Sequence, residues 1–198
     1  MKCDKNTMLL YAVTDRAWTG KQSLYEQVEC ALKGGVTCVQ LREKEMGQEE
    51  FLEEAKEISA LCKQYGVPLF INDNVEVAIQ CQADGIHVGQ EDMAAAQVRK
   101  KVGDGMMIGV SVHSVQEALD AVQNGADCLG VGAMFSTSTK KDAEVLPKEV
   151  LREICAAVDI PVVAIGGIGK SNLLELAGTG VDGVALVSAI FSAEDIEG

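Results

Sequence analysis

The chain has 198 residues, 47% of them hydrophobic, with 30 acidic against 17 basic side chains and a formal net charge of −13. That length and apolar share exclude a disordered chain and allow one domain with a substantial core. The acidic balance argues against nucleic acid, which needs a basic face to release counterions, and no apolar run approaches the ~20 residues of a membrane helix.

The stretch from Met1 to Thr7 is polar and lacks an apolar signal segment. A cytoplasmic location with no membrane partner is therefore predicted. Of the seven cysteines, none forms a C-x-x-C pair. They are expected to be reduced thiols serving as small core residues, and their spacing does not suit zinc.

Eight short apolar runs are predicted as strands: 9–15, 38–43, 68–73, 85–89, 107–112, 128–133, 161–167 and 183–188. They are nearly continuous in hydrophobic character, as parallel strands buried on both faces are. Predicted helices lie between them. Segment 48–65 carries Phe51, Leu52, Ala55, Ile58 and Leu61 at helical spacing. Segment 93–101 follows strand four. Segment 114–124 opens with Ser114 as N-cap and Glu117 three residues on, a capping-box pattern. A short helix is predicted over 171–177.

Four helix-to-strand junctions contain glycine: Lys33-Gly34-Gly35-Val36-Thr37, Gln82-Ala83-Asp84-Gly85, Asn124-Gly125-Ala126-Asp127 and Thr179-Gly180-Val181-Asp182-Gly183. Glycine suits the left-handed residue that commonly closes a helix. Only ten residues follow Ser188, so an eighth helix is expected to be short or absent. The pattern predicts an α/β fold, a (β/α)8 TIM barrel in a single domain over 1–198. An open doubly wound sheet is the alternative. It usually has a glycine-rich first turn, which Thr14-Asp15-Arg16-Ala17-Trp18 is not.

Polar clusters sit directly after the strand-like runs, and barrel active sites gather at those exit ends. Gln40, Arg42 and Lys44 alternate along the end of strand two and share one phase, inward. Arginine offers phosphate a bidentate fork and lysine a point charge. With Lys140, these cations can hold an anion against the global negative field. Asp73 and Asp92 end strands three and four and can share one Mg²⁺ with waters and phosphates. Each can equally cap the helix that follows, Asp92 that of 93–101. Gly166-Gly167 and Val187-Ser188 end strands seven and eight, where barrels frequently bind phosphate through backbone N–H groups. Thr137 and Thr139 offer hydroxyls. His87, mid-strand, reads as a hydrogen-bonded core histidine, whereas His113 stays open between catalytic and structural roles. Asp15 and Arg16 either line the pocket or form a surface pair.

Read in order, Tyr11-Ala12-Val13-Thr14-Asp15, Val39-Gln40-Leu41-Arg42-Glu43-Lys44, Ile71-Asn72-Asp73, His87-Val88-Gly89-Gln90-Glu91-Asp92, Gly109-Val110-Ser111-Val112-His113, Gly130-Val131-Gly132, Thr137-Ser138-Thr139-Lys140, Ala164-Ile165-Gly166-Gly167-Ile168 and Val187-Ser188-Ala189-Ile190 resemble the motifs of the thiamine-phosphate synthase family. The resemblance implies a transferase joining a hydroxymethylpyrimidine diphosphate to a thiazole phosphate, or to its carboxylated form with loss of CO₂. The products are thiamine phosphate and diphosphate. It places Gln40, Leu41, Arg42, Glu43, Lys44, Asn72, Ser111 and Lys140 on the pyrimidine diphosphate, with Arg42, Lys44, Ser111 and Lys140 as catalytic residues. It places Thr137, Ser138, Thr139, Gly167, Val187 and Ser188 on the thiazole phosphate, and Asp73 and Asp92 on one Mg²⁺ per subunit. The implied mechanism is a dissociative substitution through a pyrimidine-stabilised carbocation. A homo-oligomer is left open. The alternatives are a thiazole tautomerase-like enzyme and a non-catalytic thiamine-phosphate binding protein. The first is not expected to keep Asp92 in Gln-Glu-Asp or the Thr-x-Thr-Lys loop, and the second can dispense with the two aspartates.

Overall fold

In the computed structural model, residues 3–20, 22–139 and 143–198 are described. Eight strands run in chain order: β1 (Leu10–Val13), β2 (Cys38–Leu41), β3 (Leu69–Asn72), β4 (Gly85–Val88), β5 (Met107–Val112), β6 (Cys128–Val131), β7 (Val162–Ile165) and β8 (Gly183–Leu186). Every neighbouring pair is parallel, and β8 pairs with β1 to close the barrel. Closure excludes the open-sheet alternative. Each strand lies inside its predicted run; Gln40, Asn72 and Ser111 fall within the strands, and the other polar exit residues in the loops beyond.

Successive side chains on a strand face opposite ways, so the barrel has two cores. Tyr11, Val13, Cys38, Phe70, Met107, Cys128, Val163 and Ala185 fill its interior, with Met8 beneath them. Ala12, Val39, Leu41, Leu69, Ile71, Ile86, Val88, Ile108, Val110 and Leu129 face outward into the helical shell. All seven cysteines are free, and Cys38, Cys62, Cys81 and Cys128 are buried.

The shell comprises α1 (Leu24–Lys33), α2 (Gln48–Tyr65), α3 (Val75–Gln80), α4 (Ala95–Val102), α5 (Val115–Gln123), α6 (Lys148–Ala157) and α7 (Ser188–Phe191). Helix α2 has the predicted bounds. Helix α1 starts with a complete capping box between Ser23 and Glu26, an arrangement worth about 1 kcal/mol. At α5, Ser114 Oγ accepts the Glu117 N–H at 3.2 Å as expected. The Glu117 carboxylate, however, takes the His113 N–H at 2.7 Å and not that of Ser114. Its contact with His113 Nδ1 at 3.1 Å favours that reach. The helix expected over 93–101 starts at Ala95, with Ala94 as N-cap, so Asp92 does not cap it. Segment 171–177 forms a single 3-10 turn at Leu173–Leu176 and not an α-helix. After β8 the helix has four residues. Among the described residues no helix is long and apolar enough to cross a membrane.

The four glycine junctions share one construction at the bottom of the barrel. Thr37, Asp84, Asp127 and Asp182 each stand just before an even strand. Their side chains accept the N–H of Leu10, Leu69, Ile108 and Val162 at 2.9, 2.9, 2.7 and 2.9 Å. Their own N–H groups donate back to the carbonyls of the same four residues at 2.8, 2.9, 2.7 and 2.9 Å. Two residues ahead, the backbone is left-handed at Gly35 (φ 96°), Gln82 (φ 53°), Gly125 (φ 93°) and Gly180 (φ 92°). In the second junction, therefore, Gln82 and not Gly85 supplies the turn. Gly85 answers a different need, because a Cβ there would lie 2.4 Å from the Phe70 ring.

Candidate active site

Above the inner core, the strand exits enclose a cavity of about 730 Å³. Its floor follows from strand phase. Gln40, Asn72, His87 and Ser111 all occupy inward positions on β2 to β5 and all line it. Gln40 Nε2 donates to Tyr11 Oη at 3.0 Å, and Gln40 Oε1 accepts from Asn72 Nδ2 at 3.0 Å. Burial pushes the Tyr11 phenol well above its usual range, so it stays protonated. Asn72 Oδ1 and His87 Nδ1 are buried with no hydrogen-bond partner among the described residues. Buried polar atoms are normally paired, so the unpaired Asn72 Oδ1 of this lining residue suits a ligand, whereas His87 Nδ1 lies against Gly109.

His87 is the core histidine that its mid-strand position predicts, and it also reaches the site. Its Nε2 and Ser111 Oγ are hydrogen-bonded at 2.8 Å. Burial lowers its pKa to about 4, against a weaker opposite pull from Asp92. The ring is therefore neutral at physiological pH. Gly109 makes room for it, since a Cβ there would lie 2.5 Å from Nδ1. Gln90 Nε2 donates to the Ser111 carbonyl at 2.8 Å, tying the β4 exit loop to β5. His113 lines the rim, and its ring pairs with Glu117.

One side of the rim is charged. Arg42 and Lys44 line the cavity beside Asp73 and Asp92. The Lys44 ammonium bonds the Asp73 carboxylate. The Arg42 guanidinium lies 3.8 Å from Asp15. Burial pushes the Asp73 carboxyl above its usual range; Lys44 opposes this, and the adjacent Asp92 carboxylate adds to it. Asp73 also sits at φ 61°, in the left-handed region, a strained conformation of the kind that clusters at functional sites. Asp92 Oδ2 accepts the Gly89 N–H at 2.6 Å. Two packed carboxylates are relieved by a divalent cation. Mg²⁺ takes one or two carboxylates and completes its shell with waters and phosphates. The donor set fits that ion. No cluster of three or more metal-ligating side chains exists among the described residues.

The opposite side carries hydroxyls and glycine, with Glu144 also on the lining. Thr137, Thr139, Gly167, Val187 and Ser188 all line the cavity. Thr139 N–H donates to Thr137 Oγ1 at 3.2 Å. Gly167 has φ 64°, and a Cβ there would stand 2.4 Å from the Ser136 carbonyl oxygen, so no other residue fits.

Three of the resemblance-derived positions point elsewhere. Leu41 is fully buried in the outer core. Glu43 turns its carboxylate away from the cavity onto Arg16, because it follows Arg42 in opposite phase. Ser138 is exposed and does not line the cavity. Lys140 lies outside the described residues. Asp15 and Arg16 form pairs on the outer side of the rim, with Asp15 Oδ1 capping the 3-10 turn Arg16–Trp18. Tyr11 was missed in sequence, although its period-two phase with Val13 places it inside. Glu54 was missed as well, and nothing in the helical pattern of α2 signals its contact with Arg16.

Comparison with known proteins bears on the family and the fold. The family model described as thiamine monophosphate synthase matches residues 10–190. A thiamine-phosphate synthase from Clostridium acetobutylicum is 48% identical over 188 residues, covering 95% of this chain and 89% of its own. The solved structure of a thiamine phosphate pyrophosphorylase from Pyrococcus furiosus superposes with a TM-score of 0.90 at 42% identity, covering 98% and 92% of the two chains. An N-acetylmannosamine-6-phosphate 2-epimerase from Clostridium perfringens, at 15% identity and a TM-score of 0.69 over 93% and 88% of the chains, shares the fold alone. Matched across nearly its whole length, this chain belongs to the thiamine monophosphate synthase family of enzymes.

Proposed function

We propose that the protein joins 4-amino-2-methyl-5-hydroxymethylpyrimidine diphosphate to 4-methyl-5-(2-phosphooxyethyl)thiazole, or to its carboxylated form with loss of CO₂. The products are thiamine phosphate and diphosphate. One observation carries this reading: a single cavity sets Arg42 and Lys44 beside paired carboxylates on one wall, and a glycine-bearing backbone cradle on the other. Two anions of different charge are thus provided for.

The pyrimidine diphosphate lies against Gln40 and Asn72, with its diphosphate toward Arg42 and Lys44. Lys140 is assigned to the same group from its place in the sequence. The C–O bond to the diphosphate breaks first, and its electron pair leaves with the oxygen. Arg42 and Lys44 neutralise that charge as it develops. One cation–anion pair at ~4 Å contributes on the order of 4 kcal/mol at an effective dielectric of ~20. Asp73 and Asp92 would hold Mg²⁺, which would supply further neutralisation of the leaving group. The remaining carbocation is stabilised by the aminopyrimidine ring. Ser111, fixed by His87, contacts this substrate. The thiazole phosphate is held by Thr137, Thr139, Gly167, Val187 and Ser188, and its ring nitrogen donates a lone pair to the carbocation. That nitrogen carries no proton, so no general base is required, and a neutral, buried His87 is compatible with this. Catalysis is then positioning and electrostatics.

Calorimetry separates this reading from its rivals. The synthase reading expects Mg²⁺-dependent binding of the pyrimidine diphosphate and separate binding of the thiazole phosphate. Binding of the thiazole phosphate alone would favour a tautomerase-like enzyme or a binding protein.

A further inference from the structure

Strands β1 and β2 leave the barrel side by side, and three successive residues after β1 grip the β2 exit. Thr14 Oγ1 accepts the Arg42 N–H at 3.0 Å. Asp15 lies 3.8 Å from the Arg42 guanidinium. Arg16 then forks onto Glu43, with Nε 3.2 Å from both carboxylate oxygens and Nη2 2.9 Å from Oε1. The same Nη2 reaches Glu54 on α2 at 2.5 Å. The Glu43 side chain is only 4% exposed. This cluster ties the β2 exit to both the β1 exit and the helical shell.

Its neighbours are looser. Arg42 and Lys44 flank Glu43, are 26% and 48% exposed, and pair with Asp15 and Asp73. Both cations must change partners when an anion arrives. Glu43 does not, because it faces away from the cavity. Without Arg16, the nearly buried Glu43 carboxylate would be left uncompensated beside that of Glu54. Its nearest alternative partners along the chain are Arg42 and Lys44 themselves. An uncompensated buried charge is strongly unfavourable, so it would compete with the substrate for those two cations.

We propose that Arg16 is a positioning residue for the diphosphate end of the site: through Glu43 it keeps the β2 exit in place and its negative charge away from Arg42 and Lys44. The proposal rests on the synthase reading of the cavity. A lysine at 16 would keep the charge but lose the fork.

The test is calorimetry with inorganic diphosphate and Mg²⁺, and separately with thiazole phosphate, on wild type, R16M, R16K and R16M/E43Q. Steady-state KM values for both substrates accompany it. R16M is expected to weaken diphosphate binding and raise the pyrimidine diphosphate KM about tenfold, with thiazole phosphate affinity changed less than about twofold. R16K is expected to fall between R16M and wild type. R16M/E43Q is expected to regain most of the loss, because the carboxylate between Arg42 and Lys44 is gone, while that of Glu54 stays on α2. Equal losses for both ligands, or a double variant weaker than R16M, would overturn the proposal and leave Arg16 a structural clamp only. Absence of thiamine phosphate from the wild type would instead overturn the synthase reading, while the diphosphate affinities still decide the role of Arg16.

Discussion

At the residue scale, the two aspartates show how far spacing alone reaches. In sequence, Asp92 reads equally as a helix cap or a metal ligand. The structure removes the first reading, because α4 starts three residues later behind Ala94. What remains is a carboxylate packed against Asp73, on a strained residue whose carboxyl is pushed up by burial. Asp92→Asn keeps an oxygen for the Gly89 N–H and removes one charge. It is expected to lower turnover about 10²-fold with Mg²⁺ present, while the melting temperature holds or rises. Wild-type rates at limiting Mg²⁺ would contradict this assignment. His87 gives a pH signature. Its folded pKa is about 4 against an ordinary 6.5, so the unfolded chain takes up its proton first as pH falls. This contribution is intact above pH 6.5 and is lost toward pH 4, by roughly 3 kcal/mol in all. His87→Gln should lose correspondingly less stability over the same interval. Urea midpoints at the two ends of that window measure the difference, and parallel losses in both proteins would contradict it.

At the element scale, the four junctions were visible as glycine-containing turns, but their chemistry was not. The shared feature is the reciprocal bonding of Thr37, Asp84, Asp127 and Asp182 to the preceding odd strand. That pairing depends on barrel register and therefore on closure, which no local window contains. Asp84→Ala leaves the Leu69 N–H without its side-chain acceptor, and is expected to cost about 1–3 kcal/mol by denaturant unfolding. Glu53→Ala breaks only an exposed i,i+3 pair with Lys56, and is expected to cost under about 0.5 kcal/mol. Comparable losses from the two would show that the junction bonds are not structural. The same reasoning explains Glu43 and Arg16, which lie 27 residues apart. Period-two phase turns Glu43 away from Arg42 and Lys44, yet its partner emerges only once β1 and β2 are adjacent. Segment 171–177 closes as a 3-10 turn at Leu173–Leu176 and not as the predicted helix.

For the whole molecule, the barrel was legible because eight nearly continuous apolar runs alternate with helical segments and glycine turns. Strand alternation then placed Gln40, Arg42 and Lys44 on one inward face before any contact was known, and the structure puts all three on the cavity wall. The same alternation carries the side chains of Leu41 and Glu43 away from it. With a net charge of −13, the molecule repels anions at long range, and local cations at one rim must overcome that field. The measurement that bears most directly on this account is formation of thiamine phosphate, read as thiochrome fluorescence, from the two substrates with and without Mg²⁺. The account predicts product with Mg²⁺ and a large loss of rate when the metal is chelated. Folded protein that yields no product, or product at an unchanged rate without the metal, would contradict it.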